Sequence, residues 1–155
     1  MIPALAGFFF VLVCVDMGVK QYIEDFFDEK EERDTRAAHV VFRKVYNKGF
    51  LLDALDHYPG LVRRSSLALG AVLLVYNLRL FLERGRRLEK LGITLLSAGA
   101  FSNIYDRVIR GKVIDYIGFK SRSKWLSRIT ANLADFYVLA GSLLATLGRI
   151  KKADH

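Results

Sequence analysis

Charge and apolarity are kept apart along this chain, and that separation restricts its fold more than any other feature. Four apolar blocks, 2–19, 66–82, 91–105 and 133–148, alternate with strongly charged connections. A helix that spans a bilayer needs about 20 mostly apolar residues, with a floor near 17. The last two blocks are short by that measure and need polar flanks at the interface. The expected fold is one all-α integral membrane domain over residues 1–155, with four transmembrane helices. Hydrophobic residues make up 52% of the chain and charged ones 26%, a combination that only such segregation explains. The first block has no Lys or Arg before it and no small-x-small site after it, so it is expected to be a retained helix.

The net charge of +8 sits beside apolar blocks, which points to anionic lipid headgroups as partners and not to nucleic acid. Orientation follows from the short loops. Arg84, Arg86, Arg87 and Lys90 lie between the second and third blocks, and Arg149, Lys151 and Lys152 follow the fourth. The positive-inside rule makes both cytoplasmic, and an even number of spans puts both termini there. Segment 20–60 is then outside, and its first half is acidic (EDFFDEKEERD). Its mixed charges fit a surface amphipathic helix plus a short sheet. One segment disagrees: 107–128 should lie outside, yet it holds Arg110, Lys112, Lys120, Arg122, Lys124 and Arg128. Phosphates of outer-surface lipids are the expected reason.

This topology collects polar groups at one depth, near the outer leaflet. Asp16 and Lys20 end the first span, Asn103, Asp106 and Arg107 end the third, and Asn132 and Asp135 open the fourth. Asp115 falls in the connection between the last two. Each has an ordinary account. Asn132 and Asp135 suit a helix start. Asp106 and Arg107 suit an interfacial ion pair, and Asp16 and Lys20 a salt bridge one turn apart. Asp115 suits the wet face of a short strand, and Asn77 and Arg79 a snorkelling rim.

Together they suit catalysis better. Two carboxylates close together in a partly dry site tend to share one proton. One then acts as base toward a water while the other donates a hydrogen bond to the carbonyl under attack. That is aspartyl peptide hydrolysis. Asp115 and Asp135 are the pair whose setting suits it, with Asn103, Asp106, Arg107 and Asn132 orienting them. No cofactor is expected. The three histidines lack metal-ligand spacing, no Gly-rich phosphate loop is present, and the single cysteine, Cys14, lies within an apolar run.

These motifs resemble lipoprotein signal peptidase, also called signal peptidase II. The family's Asp and Lys four residues apart are matched by Asp16 and Lys20, and its Asn-x-Gly by Asn47 and Gly49. Its longest signature is matched in SAGAFSNIYDRVIRGKVIDYI by Asn103, Asp106, Arg107, Gly111, Val113 and Asp115. The signature that opens its last span is matched by Asn132, Ala134 and Asp135. The four occur in order over nearly the whole chain. Three positions depart from the family pattern: Ser102 for Gly, Ala131 for Phe and Tyr46 for His.

The resemblance implies a monomeric, multi-pass enzyme of the bacterial cytoplasmic membrane. Its substrate would be a prolipoprotein, cut just before a cysteine that already carries diacylglycerol. Asp115 and Asp135 would be the dyad, with Asn47, Asn103, Arg107 and Asn132 lining the site. The small residues of the third span (Gly92, Ser97, Ala98, Gly99, Ala100 and Ser102) suit close helix contact, and a substrate helix and its lipid would dock there from the bilayer side. Two alternatives stay open: an inactive relative that binds lipoproteins, and a small transporter-like protein.

Overall fold

A computed structural model describes residues 1–29, 31–37, 39–47 and 58–153. In chain order the elements are α1 (Ile2–Phe26), β1 (Glu32–Asp34), β2 (Val40–Asn47), α2 (Pro59–Leu82) and α3 (Arg87–Tyr105). A π-helical turn (Asp106–Arg110), β3 (Val113–Phe119), α4 (Lys124–Arg128), β4 (Thr130–Ala131) and α5 (Leu133–Ala153) follow.

Three helices are long and apolar enough to cross a membrane: α1, α2 and the Leu133–Lys151 part of α5. The third expected span, α3, is not among them, for a physical reason. Glu89, Lys90, Thr94, Ser102 and Asn103 are all buried along it. It packs against α1, α2 and α5, so protein covers its polar side chains and lipid does not have to. The other helices turn apolar residues such as Phe10, Val72 and Leu143 outward.

Helix α1 hides only one stripe: Val13, Asp16, Lys20 and Ile23. Those positions recur every three or four residues and lie on one helix face. Two of the four are charged, so the helix buries its ions and shows its hydrocarbon. It also runs well past residue 19, because Ile23 and the following Phe27 pack with Ile114 and Tyr116 beneath the sheet.

Helices α3 and α5 meet through glycine. A Cβ on Gly99 would stand 2.2 Å from the Ala134 carbonyl oxygen, and one on Gly92 2.3 Å from the Ala145 nitrogen. On the opposite side, a Cβ on Gly141 would stand 2.4 Å from Leu96 N, and one on Gly148 2.6 Å from Glu89 N. Gly92 and Gly99, like Gly141 and Gly148, lie seven residues apart, which keeps each pair on one helix face. Small residues here let two backbones touch. Gly92 and Gly99 are therefore occupied by α5 and do not offer the substrate surface expected of them.

Outside the helices the four strands form one antiparallel sheet, ordered β1-β2-β3-β4. Two of the strands come from the α1–α2 connection and two from the α3–α5 connection. The short strand expected around Asp115 is β3, and with β4 the connection supplies half the sheet. β2 pairs with β3 across a register irregularity between Phe42 and Val45, which sets Val45 opposite Asp115 and Asn47 opposite Val113. Gly111, at φ 72°, ends the π-helical turn in a left-handed conformation and aims the chain into β3.

At the opposite end of the bundle, Arg86 donates to both Glu89 oxygens (2.7 and 2.6 Å), and the Tyr76 hydroxyl donates to Glu89 as well. Part of the positive charge of that loop is thus neutralised internally. The Gly99→Val variant is expected to lower the thermal unfolding midpoint in detergent, by the equivalent of about 1–3 kcal/mol for overpacking a tight contact. An unchanged midpoint would mean that α3 and α5 do not touch at Gly99.

Candidate active site

The site is built outward from one buried carboxylate. Asp16 is 0% exposed and takes four donors. Lys20 Nζ stands 2.9 Å from its Oδ2, and the Ser102 hydroxyl donates to the same oxygen at 2.5 Å. The Tyr116 hydroxyl donates to Oδ1 at 3.0 Å, and the Ala134 backbone N–H donates to it at 3.2 Å. The donors come from α1, α3, β3 and α5. An ionised carboxyl offers about four acceptor positions, and here all are used.

Lys20, also 0% exposed, continues the network. Its ammonium reaches Asp106 Oδ2 at 2.9 Å, Asn103 Oδ1 at 2.9 Å and the Ser102 hydroxyl at 3.2 Å. Arg110 stands 3.4 Å from the other Asp106 oxygen. Two acids and two bases thus balance in one buried cluster. Buried ions need this arrangement, because an unpaired charge there costs several kcal/mol.

The two predicted catalytic carboxylates flank this cluster, and Asn132 joins them. Its side-chain Nδ2 donates to Asp115 Oδ1 at 2.6 Å, and its backbone N–H donates to Asp135 Oδ2 at 3.1 Å. The Asp135 N–H returns a bond to Asn132 Oδ1 at 3.0 Å. That reciprocal pair is a capping box at the start of α5. Sequence NLAD dictates it: a capping residue followed three places later by an acid.

Asn47 Nδ2 also donates to Asp115, at 3.2 Å to Oδ2, and Asn103 Nδ2 donates to Asp135 Oδ1 at 2.9 Å. Through Asn103 the Lys20 cluster and Asp135 share one side chain. Arg107, in the π-helical turn, lies within the field of Asp106, Asp115 and Asp135.

The two carboxyls differ in environment. Asp115 is 4% exposed, whereas Asp135 lies on the exposed side of its helix. Burial pushes the Asp115 carboxyl from 3.8 up to about 7; the charge of Asp135 adds to the push, and the bonds from Asn47 and Asn132 oppose it. Asp115 does sit on a strand, but not on a wet face.

Of the predicted site residues, Asp16, Lys20, Asn103, Asp106, Asn132 and Ala134 are therefore linked by direct contacts, with Asn47, Asp115 and Asp135 attached. Gly49 lies outside the described residues. The expected Asp16–Lys20 salt bridge, one turn apart, is present and fully buried within the protein. Asn77 is no snorkelling rim: its Nδ2 donates to the Leu73 carbonyl at 2.7 Å and to Ser97 Oγ at 2.9 Å, joining α2 to α3. Arg79 is exposed. The basic segment 107–128 is partly neutralised by protein, as Arg110 meets Asp106, Lys112 meets Glu24 and Lys120 meets Asp34. Arg122, Lys124 and Arg128 remain exposed beside exposed Trp125.

Tyr116 and Ser102 were missed as site residues. Tyr116 had no signal beyond lying next to Asp115 in an apolar run; Ser102 was noted only for its size, and its hydroxyl proves to be a buried donor. Tyr46 donates to Glu24 Oε2 at 2.9 Å and carries Lys112 3.3 Å above its ring centroid, tying β2 to the end of α1. Ala131 pairs with Ile117 in the sheet.

Known proteins place this arrangement. The model of the family described as "Signal peptidase (SPase) II" matches residues 8–151. A lipoprotein signal peptidase of Ectopseudomonas mendocina is 32% identical over 69% of this chain and 64% of its own length. One from Cupriavidus pinatubonensis is 30% identical over 94% of this chain and 82% of its own. A solved structure described as a bacterial membrane enzyme, at 2.3 Å resolution, shares the fold with a TM-score of 0.83 at 19% identity. It is matched over 99% of this chain and 91% of its own.

The shift at Asp115 has a definite sign. The folded protein holds that proton more tightly than the unfolded chain, so the stabilisation is present below about pH 4 and lost as pH rises through about 7. The unfolding midpoint of the wild type should fall over that window, and Asp115→Asn should flatten the fall. In Asp135→Asn, the protonated-carboxyl infrared band of Asp115 should titrate below 7 yet above the ordinary 3.8, since burial persists. A band titrating near 3.8 in the wild type would contradict the burial argument.

Proposed function

This chain belongs to the signal peptidase II family, and on that premise we propose that it is an aspartyl endopeptidase of the bacterial cytoplasmic membrane. Its substrate is a diacylglyceryl-modified prolipoprotein, from which it removes the signal peptide. The single observation that carries this reading is the Asn132 bridge, one residue hydrogen-bonded at the same time to Asp115 and Asp135.

The shared proton is placed on Asp115, the more deeply buried of the two carboxyls, which leaves the more exposed Asp135 as the base. Asp135 removes a proton from a water held between the carboxyls as that water attacks the scissile carbonyl carbon. Asp115 donates its hydrogen bond to the carbonyl oxygen, which develops negative charge. A carbon–oxygen bond forms. When the carbon–nitrogen bond breaks, the proton taken by Asp135 passes to the leaving amine. Asn47, Asn103 and Asn132 hold the carboxyls in orientation, and Arg107 offers positive charge toward the scissile segment.

In the same reading α3 is a fourth transmembrane helix, shielded by α1, α2 and α5. Both termini are cytoplasmic, the sheet and the dyad lie at the outer leaflet, and the enzyme is a monomer among membrane lipids. The grouping of the sheet, the π-helical turn and the two aspartates at one end of the helices supports this arrangement.

Purified enzyme in detergent, given a diacylglyceryl precursor, should release the signal peptide. Asp115→Asn and Asp135→Asn should each lower the rate at least about 10³-fold, as loss of a chemical group in a catalytic unit does, while the protein still accumulates folded in membranes. A folded Asp115→Asn that cuts at the wild-type rate removes the dyad. A folded wild type that binds the precursor without cutting it leaves only the inactive relative.

A further inference from the structure

The start of α5 is held in a way that the dyad alone does not require. A helix leaves its first amides without partners inside the helix. Here three consecutive ones have side-chain acceptors from three sources. The Leu133 N–H donates to the Tyr116 hydroxyl at 3.1 Å, the Ala134 N–H to Asp16 Oδ1 at 3.2 Å, and the Asp135 N–H to Asn132 Oδ1 at 3.0 Å. The Tyr116 hydroxyl is a relay, because it donates in turn to Asp16 at 3.0 Å.

Tyr116 follows Asp115 directly on β3. Successive side chains on a strand point to opposite faces. Strand β3 therefore grips the first turn of α5 from both sides, with Asp115 on the Asn132 amide and Tyr116 on the Leu133 N–H. Tyr116 is 1% exposed, and its ring packs with Ile23, Phe27 and Ile114. Burial, followed by the Asp16 charge, raises its hydroxyl well above the ordinary tyrosine value, so it stays a donor at any working pH.

We propose that the Tyr116 hydroxyl is a positioning group for catalysis: by tying Leu133 to Asp16 it sets the separation of Asp135 from Asp115. This rests on the aspartyl dyad proposed above. Asp115 faces Asp135 from α5, Lys20 from α1 and Arg107 from the π-helical turn, and only the first distance depends on where α5 begins. Without the hydroxyl, Asp16 Oδ1 loses a donor, the Leu133 amide loses its acceptor, and the α5 start keeps only the Asn132–Asp115 side of its grip on β3. Weaker coupling between the carboxyls then lowers the upper of their two apparent pKa values.

The test is Tyr116→Phe, which keeps the packed ring, assayed on the diacylglyceryl precursor per molecule of folded enzyme. Turnover should fall about 10-fold with KM within about twofold, as a displacement of reacting groups predicts, and the alkaline limb of the pH–rate profile should move to lower pH. Leu133→Pro gives an independent route, since proline suits the first helical position and removes the same N–H. It should reproduce both effects, and the double variant should be no worse than the poorer single one. A Leu133→Ala control, which keeps the N–H, should leave the alkaline limb in place. Unchanged turnover and an unchanged limb in folded Tyr116→Phe would overturn the proposal even if its unfolding midpoint drops, as would additive losses in the double variant. If Tyr116→Phe does not fold, Leu133→Pro decides alone. Asp115→Asn is run beside them: cleavage by that variant sinks the dyad itself, whereas a neutral Tyr116→Phe in an enzyme that needs Asp115 sinks only the positioning role.

Discussion

The structure depends on a carboxylate that has no water to turn to. Asp16 lies inside a helix bundle, so its charge must be met by protein, and it is met by four elements at once. That requirement fixes the relation of α1, α3, β3 and the start of α5 more tightly than hydrocarbon contacts can. Dispersion tolerates sliding, whereas hydrogen bonds to a buried ion do not. Breaking such a cluster leaves an uncompensated charge, which is far costlier than losing an apolar contact.

The glycine contact between α3 and α5 serves the same end. Backbones that touch at Gly99 and Ala134 set the height of α5 just one residue before Asp135. The capping box at Asn132 then sets its rotation. Helix packing and helix capping converge on one turn, and the polar residues there have little freedom left. This rigidity suits a site that must hold two carboxyls at a working separation.

Much of this was legible in the chain itself. NLAD announces a capped helix start, and an Asp and a Lys four residues apart announce a salt bridge one turn long; that the pair is buried was not legible. The shared depth of the polar helix ends followed from the loop charges. Less legible was α3, whose hydropathy is low because other helices surround it. Hydropathy reports the surface a helix presents, and α3, packed against α1, α2 and α5, presents polar groups to protein. The sheet was half hidden too: a short strand around Asp115 was legible, but nothing in the basic connection announced β4 or the pairing of β3 with β2. Tyr116 looked like one more apolar strand residue, and only its partners show that its hydroxyl matters.

The sequence by itself determined which groups had to find partners: charges in apolar blocks, a capping asparagine, and glycines spaced at seven. These are local constraints, readable from residue chemistry. Tertiary structure alone decided who the partners are. That Asp16 caps a helix 118 positions away, or that one asparagine holds both Asp115 and Asp135, depends on how helices and sheet are stacked. Long-range hydrogen bonds carry no periodicity along the chain, so no pattern within a segment could have revealed them.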